Sequence, residues 1–189
     1  MKISKEQVAE NRKLILNAAA RMFRERGFEG VTVADVMKAA GLTHGAFYGH
    51  FTSKDDLLAQ AFAHTLAPYS GPDAPAIDFT AFVDGYLSNK HRDNPGIGCL
   101  FSTLAQEATR ASDAARATMT ESARSQIENF SQSMVGETDV DRRQAAVGNW
   151  AAMIGAVTLS RVLNDPAMSD QVLADVKAWL DRSNAVEKQ

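Results

Sequence analysis

The side chains best suited to chemistry lie in two short stretches. AGLTHGAFYGHFTSK (Ala40–Lys54) sets Thr43, His44, Tyr48, His50 and Lys54 around Gly45 and Gly49. Hydroxyl, imidazole and ammonium groups are the partners that phosphate oxygens and base edges take. The second stretch, HRDNPGIGCL (His91–Leu100), carries Cys99 with His91 and Arg92 upstream. A thiol close to a helix N-terminus is biased toward thiolate. A cysteine near a histidine suggests a nucleophile, but no third group, phosphate loop or metal motif accompanies the pair. With one cysteine the chain forms no intrachain disulfide and no Cys-based metal cage. These residues point to binding rather than turnover, and they imply no cofactor.

Glycine inside a helix costs about 1 kcal/mol against alanine, so Gly45 and Gly49 need a reason. On an α-helix from His44 to about His50, Phe47 and Phe51 share one face and the two glycines lie nearly opposite. The phenylalanines are then core and the glycines face outward. Two readings fit a bare outer strip. It admits the wall of a DNA groove, or it lets a neighbouring helix close a tight αα-corner.

The elements that must hold these residues read as helices throughout. Lys5–Arg26 stripes Val8, Ile15, Ala19, Met22 and Phe23, with Gly27 as its stop. Thr32-Val-Ala-Asp35 is a capping box opening a helix that Gly41 closes. That helix, the turn at Gly41-Leu42 and a second helix capped by Thr43 have the size of a helix-turn-helix. Ser53-Lys-Asp-Asp56 reads as another capping box, opening a helix that buries Leu57, Leu58, Ala61, Phe62 and Leu66. Pro68–Asp78 holds three of the five prolines and reads as a long loop. Helical period then resumes over Phe79–Lys90, Cys99–Thr109, Ser112–Met134 and Asp139–Leu163, and Met168-Ser-Asp caps a last helix. No alternating strand pattern competes. The expectation is an all-α chain of about nine helices, with a three-helix head at 1–52 and a helical body at 53–189.

Charge divides the same way. Residues 1–54 hold nine Lys/Arg against five acids, a net of +4, which leaves −7 on the rest of a chain whose formal charge is −3. A basic head on an acidic body suits a head that meets a polyanion. The start, MKISKEQVAENRK, has no apolar signal-peptide core. The longest apolar stretch, Trp150–Leu159, is shorter than the roughly 18–20 residues of a membrane helix. A soluble cytoplasmic protein with no membrane partner is expected.

ILNAAARMFRERGFEGVTVADVMKAAGLTHGAFYGHFTSKDDLL resembles the N-terminal domain of the TetR/AcrR family of bacterial transcriptional regulators. The resemblance rests on A-x-x-x-F-x-x-x-G-F-x-G-V-T-V, A-x-x-A-G-L-T and F-Y-x-H-F-x-S-K-D-D-L, spread over about 45 residues. It implies a repressor, active as a homodimer on a palindromic double-stranded DNA operator, with a ligand-binding body that answers a small-molecule inducer. By the same resemblance Thr43, His44 and Gly45 open the recognition helix. Tyr48 and His50 contact the DNA backbone, Lys54 contacts phosphate, and Thr32 caps the second helix and reaches phosphate. Gly49 departs from the pattern, since most members carry a sizeable side chain there.

The family dimerises through its last two helices, and Ala145–Leu163 is apolar or small around much of its circumference. Such a helix is buried on more than one side, by a partner chain or at the centre of a monomeric bundle. Phe62, Leu66, Phe82, Tyr86, Leu104, Met119, Phe130, Trp150 and Met153 line an inducer cavity or form ordinary core. His64, Tyr86 and Gln106 are the polar candidates, and no inducer is named by them. Gly98-Cys99-Leu100 resembles a branch of the family whose cysteine senses electrophiles or oxidants. The alternative is an inert buried thiol. A helical adaptor that binds protein through its head is a further class, distinguished by DNA affinity that ignores salt.

Overall fold

Local caps start and stop the first helices. Ser4 accepts a hydrogen bond from the Gln7 amide and opens α1 (Lys5–Arg26), which ends at Gly27 with φ +75°. Thr32 and Asp35 cap α2 (Val33–Ala39) reciprocally, each side chain accepting from the other's backbone N–H. Gly41, at φ +73°, turns the chain in a conformation that side-chain-bearing residues avoid. The computed structural model describes residues 4–69 and 77–185.

His44–Gly49 winds as a six-residue 3-10 helix, not the α-helix that the spacing suggests. With two glycines among six residues the α-form has little intrinsic support, and the tighter winding serves short pieces. Thr43 makes no side-chain capping bond to it, which corrects the reading of Thr43 as its cap. In α3 (Lys54–Leu66) the box expected at Ser53 is half made. Ser53 accepts from the Asp56 amide at 3.0 Å, but the Asp56 carboxylate turns to Thr52, whose amide and hydroxyl reach it at 2.9 and 3.1 Å.

A short 3-10 turn, Ala67–Tyr69, begins the segment read as a long loop, and residues 70–76 of that segment lie outside the described residues. The single pattern over 79–90 divides at Leu87 into α4 (Phe79–Tyr86) and α5 (Asn89–Asp93), because Ser88 caps a new start. A 3-10 turn at Pro95–Ile97 leads to α6 (Phe101–Ala108), α7 (Asp113–Ser131), α8 (Asp139–Val162) and α9 (Pro166–Ala185). The last helix begins ahead of the expected Met168-Ser-Asp cap. Asp165 accepts from the amides of Ala167 and Met168 at 2.9 and 3.1 Å, and Pro166 stands at the first helical position, where its missing N–H costs nothing. No strand occurs among the described residues, and no helix among them is long and apolar enough to cross a membrane.

Apolar faces fill two clusters. The first joins α1, α2 and the 3-10 helix to α3, α6 and the start of α7, through Ile15, Phe23, Val36, Phe47, Phe62, Leu104 and Met119. The second lies under α4, α7, α8 and α9, around Phe130, Trp150, Met153, Leu173 and Leu180. The first cluster runs from the head into the start of the body. Val8, expected on the inner stripe of α1, is 42% exposed.

Candidate nucleic-acid interface

The 3-10 helix is held from behind. Phe47 and Phe51 are buried, with ring centroids 5.6 Å apart. Arg12 of α1 donates to the His50 carbonyl at 3.1 Å, places its guanidinium 4.9 Å from the Phe51 ring centroid, and bonds Gln60 of α3. One arginine therefore ties the end of the turn to two helices. No motif marks Arg12 in the sequence, since its partners lie 38 and 48 residues away.

The front is bare. Thr43, His44, Gly45, Tyr48 and Gly49 are exposed, Tyr48 by 70%. A methyl group added at Gly45 or Gly49 would meet no atom within 4 Å, so neither glycine serves packing among the described residues. The αα-corner reading finds no neighbour to pack here among the described residues. The Tyr48 ring stands edge-on to Phe47 at 5.2 Å and to His44 at 6.2 Å. His50 is half-buried against Phe51.

Lys54 and Thr32 are less free than the sequence suggests. The Lys54 ammonium sits 4.1 Å from the centroid of the Phe28 ring, a cation–π contact that holds the charge near the surface on a fixed base. Thr32 is exposed, but its hydroxyl donates to Asp35 at 2.6 Å. Those bonds from Thr32 hold the Asp35 carboxyl below its ordinary pKa. The result is an exposed hydroxyl, imidazole and phenol on a short helix, with an ammonium at the start of the next. That set suits phosphate and base edges and lacks the paired groups of catalysis.

Comparison with known proteins places this arrangement. The family described as bacterial regulatory proteins, tetR family, matches residues 15–61. A tetracyclin repressor-like C-terminal domain matches residues 78–176, more than half of the chain. The chain belongs to the TetR family. This is a family of DNA-binding transcriptional regulators, not of enzymes. The chain is 39% identical over 57 residues to the HTH-type transcriptional regulator AcrR of Shigella flexneri, covering 30% of the chain and 26% of that protein. It is 44% identical over 55 residues to TtgR of Pseudomonas putida, covering 29% of the chain and 26% of TtgR. With the HTH-type transcriptional repressor KstR2 of Mycobacterium tuberculosis it shares 42% over 52 residues, 28% of the chain and 26% of KstR2. The chain thus spans about a quarter of the length of these curated relatives. Among solved structures, the reduced form of E. coli NemR superposes with a TM-score of 0.73 at 22% identity, over 91% of this chain and 95% of that one. A TetR-family regulator from Cytophaga hutchinsonii gives 0.70 at 22%, over 96% and 98%. At that identity the likeness establishes the fold.

Two further contacts fasten the TetR-type head to α6 and to the turn before it. Both carboxylate oxygens of Glu107 on α6 accept from the Phe28 amide at 3.1 Å, just past the end of α1. Arg24 of α1 donates to the Gly96 carbonyl at 2.9 Å. The 91–102 segment is held in turn from α8. Arg161 donates to the carbonyls of Arg92 and His91 at 2.9 Å each and to that of Ser102 at 3.2 Å. Burial lowers the pKa of Arg161 and Arg24 from its usual height, yet both remain cations hydrogen-bonded to carbonyls.

The residues expected around an inducer fall into both clusters. Phe62, Leu66, Leu104 and Met119 belong to the first, and Phe82, Tyr86, Cys99, Phe130, Trp150 and Met153 to the second. His64 pairs its ring Nε2 with Asn17 of α1 at 2.7 Å, and Gln106 is exposed. None of them lines the cavity of about 460 Å³ that opens beside α4 and α9. Cys99 is half-buried and its amide donates to His91 Nε2 at 3.0 Å, while His91 Nδ1 meets the Tyr86 carbonyl at 2.7 Å. His91 is therefore the neutral Nδ1–H tautomer, and burial lowers its pKa. Arg92, read as a possible neighbour of the thiol, instead reaches Asp93, Ser169 and Asp170. The Tyr86 hydroxyl is buried beside Cys99 and Ser102 without a well-formed hydrogen bond, and burial pushes its pKa far up.

Proposed function

We propose that the chain is a cytoplasmic homodimeric repressor that leaves a palindromic operator when a small molecule occupies its body. The observation that carries the DNA-binding half is the stripped outer face of residues 44–49, where Gly45 and Gly49 meet nothing in the chain and Tyr48 is exposed. A groove wall fits against such a face, with Thr43 and His44 at bases, Tyr48, His50 and Lys54 at phosphates, and Thr32 beside them. The curated relatives include proteins named as repressors, which supports that sign of regulation.

Dimerisation rests on the outer side of the last two helices. Val147, Leu159 and Val162 on α8 and Met168 and Trp179 on α9 are exposed. A methyl group added at Gly148 or Gly155 would meet nothing within 4 Å in this chain, which leaves room for a partner helix. Exposed apolar residues along a helix pair mark an interaction surface. Two-fold pairing there gives two heads for two operator half-sites. Body changes reach the head by the Arg161, Gly96–Arg24 and Glu107–Phe28 bonds, and a coupling of about 1–3 kcal/mol changes DNA affinity roughly 5- to 150-fold.

Binding to double-stranded DNA, measured from low to high salt, tests this reading against that of a protein-binding adaptor. Affinity falls linearly with salt on logarithmic axes. Lys54→Ala weakens binding on every sequence and reduces the salt slope by about 1, whereas His44→Ala changes sequence preference. Affinity indifferent to salt contradicts the reading.

Cys99 carries a second proposal, that an electrophile or oxidant releases the DNA through its thiol. The half-buried, disulfide-free Cys99, the buried Tyr86 hydroxyl beside it and its place on the segment that touches α1 support this. Treated with an alkylating reagent, the wild type loses DNA binding and Cys99→Ser keeps it. Equal loss in both removes the proposal.

A further inference from the structure

A cavity of about 460 Å³ opens between the start of α4, the turn after α7 and the last turns of α9. Its floor is apolar and well buried, made by Phe79, Val83 and Leu180 with Val135 beside them. Its rim carries Asp78, Asp181 and Asn184. The volume is that of a small-molecule site, and an apolar floor with a few polar groups at the edge is the usual design of one.

The charge on this rim is one-sided. Two carboxylates line the cavity and, among the described residues, no Lys, Arg or His does. Lys177, one turn earlier on α9, is paired with Asp84 at 2.7 Å, and that bond, with a weaker pull from Asp181, raises its pKa. Asp78 accepts from the Ala81 amide with one oxygen as the cap of α4, which leaves its second oxygen for another partner. The Asn184 side-chain carbonyl accepts from the buried Asn149 amide at 3.0 Å, which leaves the two carboxylates as the charged groups of the rim. The α4 N-terminus, which otherwise favours an anion, is occupied by Asp78 itself. An anionic ligand would face two carboxylates there with no counter-charge among the described lining residues.

We propose that this cavity binds a small amphipathic organic cation, its hydrocarbon body on Phe79, Val83 and Leu180 and its ammonium against Asp78 and Asp181. On α9 the rim residues Asp181 and Asn184 point well away from Trp179, since residues two and five positions on lie roughly 160° and 140° round a helix. Pairing of two chains through the Trp179 side leaves the mouth open. Cation binding here requires nothing of the DNA-binding head, and its failure would leave the DNA-binding reading intact.

Calorimetric titration of the full chain tests it with three probes of one shape: phenylpropyltrimethylammonium, the uncharged analogue with tert-butyl in place of trimethylammonium, and phenylbutyrate. The cation binds saturably at one site per chain, at least tenfold tighter than the uncharged analogue, and phenylbutyrate does not bind. Asp181→Asn and Asp78→Asn each weaken the cation about tenfold and the double variant more. Asparagine keeps the cap on α4, so thermal melting of these variants stays close to wild type. Asp113→Asn, at an exposed acid outside the cavity, leaves affinity unchanged. No saturable cation binding, equal affinity for the cation and its uncharged analogue, or full affinity in the folded double variant overturns the proposal.

Discussion

Truncating Phe47 to alanine removes about 3–5 kcal/mol of stability and DNA binding with it. Phe47 is 1% exposed, packs its ring against Phe51 and Tyr48, and its carbonyl receives the amides of both His50 and Phe51. It is the anchor by which a short, glycine-rich helix with little propensity of its own keeps one orientation. For a chain of this size the loss lowers the melting temperature by roughly 6–20 °C. Tyr48→Ala separates the two effects. Tyr48 is 70% exposed, so its truncation changes stability little, within about 0.5 kcal/mol, while affinity for DNA falls. Thermal melts beside DNA titrations of both variants check this, and a Phe47→Ala protein that melts and binds like wild type refutes the anchor role.

Gly27→Ala is the second large effect, and it acts at the joint. Gly27 has φ +75° and ψ 167°, a region that glycine alone occupies comfortably, at a cost of about 1–3 kcal/mol for other residues. An added methyl carbon would also stand 2.6 Å from Glu107 Oε1, the carboxylate that fastens the Phe28 amide. Displacing that carboxylate leaves the amide without its acceptor, worth a further 1–3 kcal/mol or so. The sequence motif marks Gly27 as a helix stop, but its second task, clearance for Glu107, comes from the fold. Glu107→Ala should relieve the clash and not the backbone strain. The double variant is then less destabilised than the two single changes added together. Strict additivity in chemical denaturation shows that the contact does not constrain Gly27.

What could be read from the sequence follows from how local each signal is. Gly27, the Thr32–Asp35 box and Gly41 act within three or four residues of themselves, and the helices they bound stand where the spacing puts them. The buried pair Phe47 and Phe51 and the outward glycines were equally legible, because polarity on a short helix has few solutions. Competition between neighbouring signals explains the nearby misses. Thr52 outcompetes Ser53 for the Asp56 carboxylate, and Asp165 with Pro166 starts α9 before Met168. The 3-10 winding of 44–49 is a difference of degree that side-chain spacing does not resolve. Contacts across the chain left no trace in any pattern. Glu107 meets Phe28 79 residues away, Arg161 gathers carbonyls 59 to 70 residues back, and the α4–α9 cavity draws its walls from three separate segments. The head was legible because its candidate site sits on one continuous stretch, and the body was not because its contacts are assembled from distant segments.

The central claim is that residues 44–49 are stripped so that DNA can approach them. The direct measurement is the DNA affinity of Gly45→Leu, a change that adds a side chain where nothing in the chain lies within 4 Å of its first atom. The melting temperature should hold at its wild-type value while affinity for a fragment selected by the wild type falls by a hundredfold or more, about 2.7 kcal/mol. A Gly45→Leu protein that melts like wild type and binds that fragment with undiminished affinity would show that DNA does not approach this face.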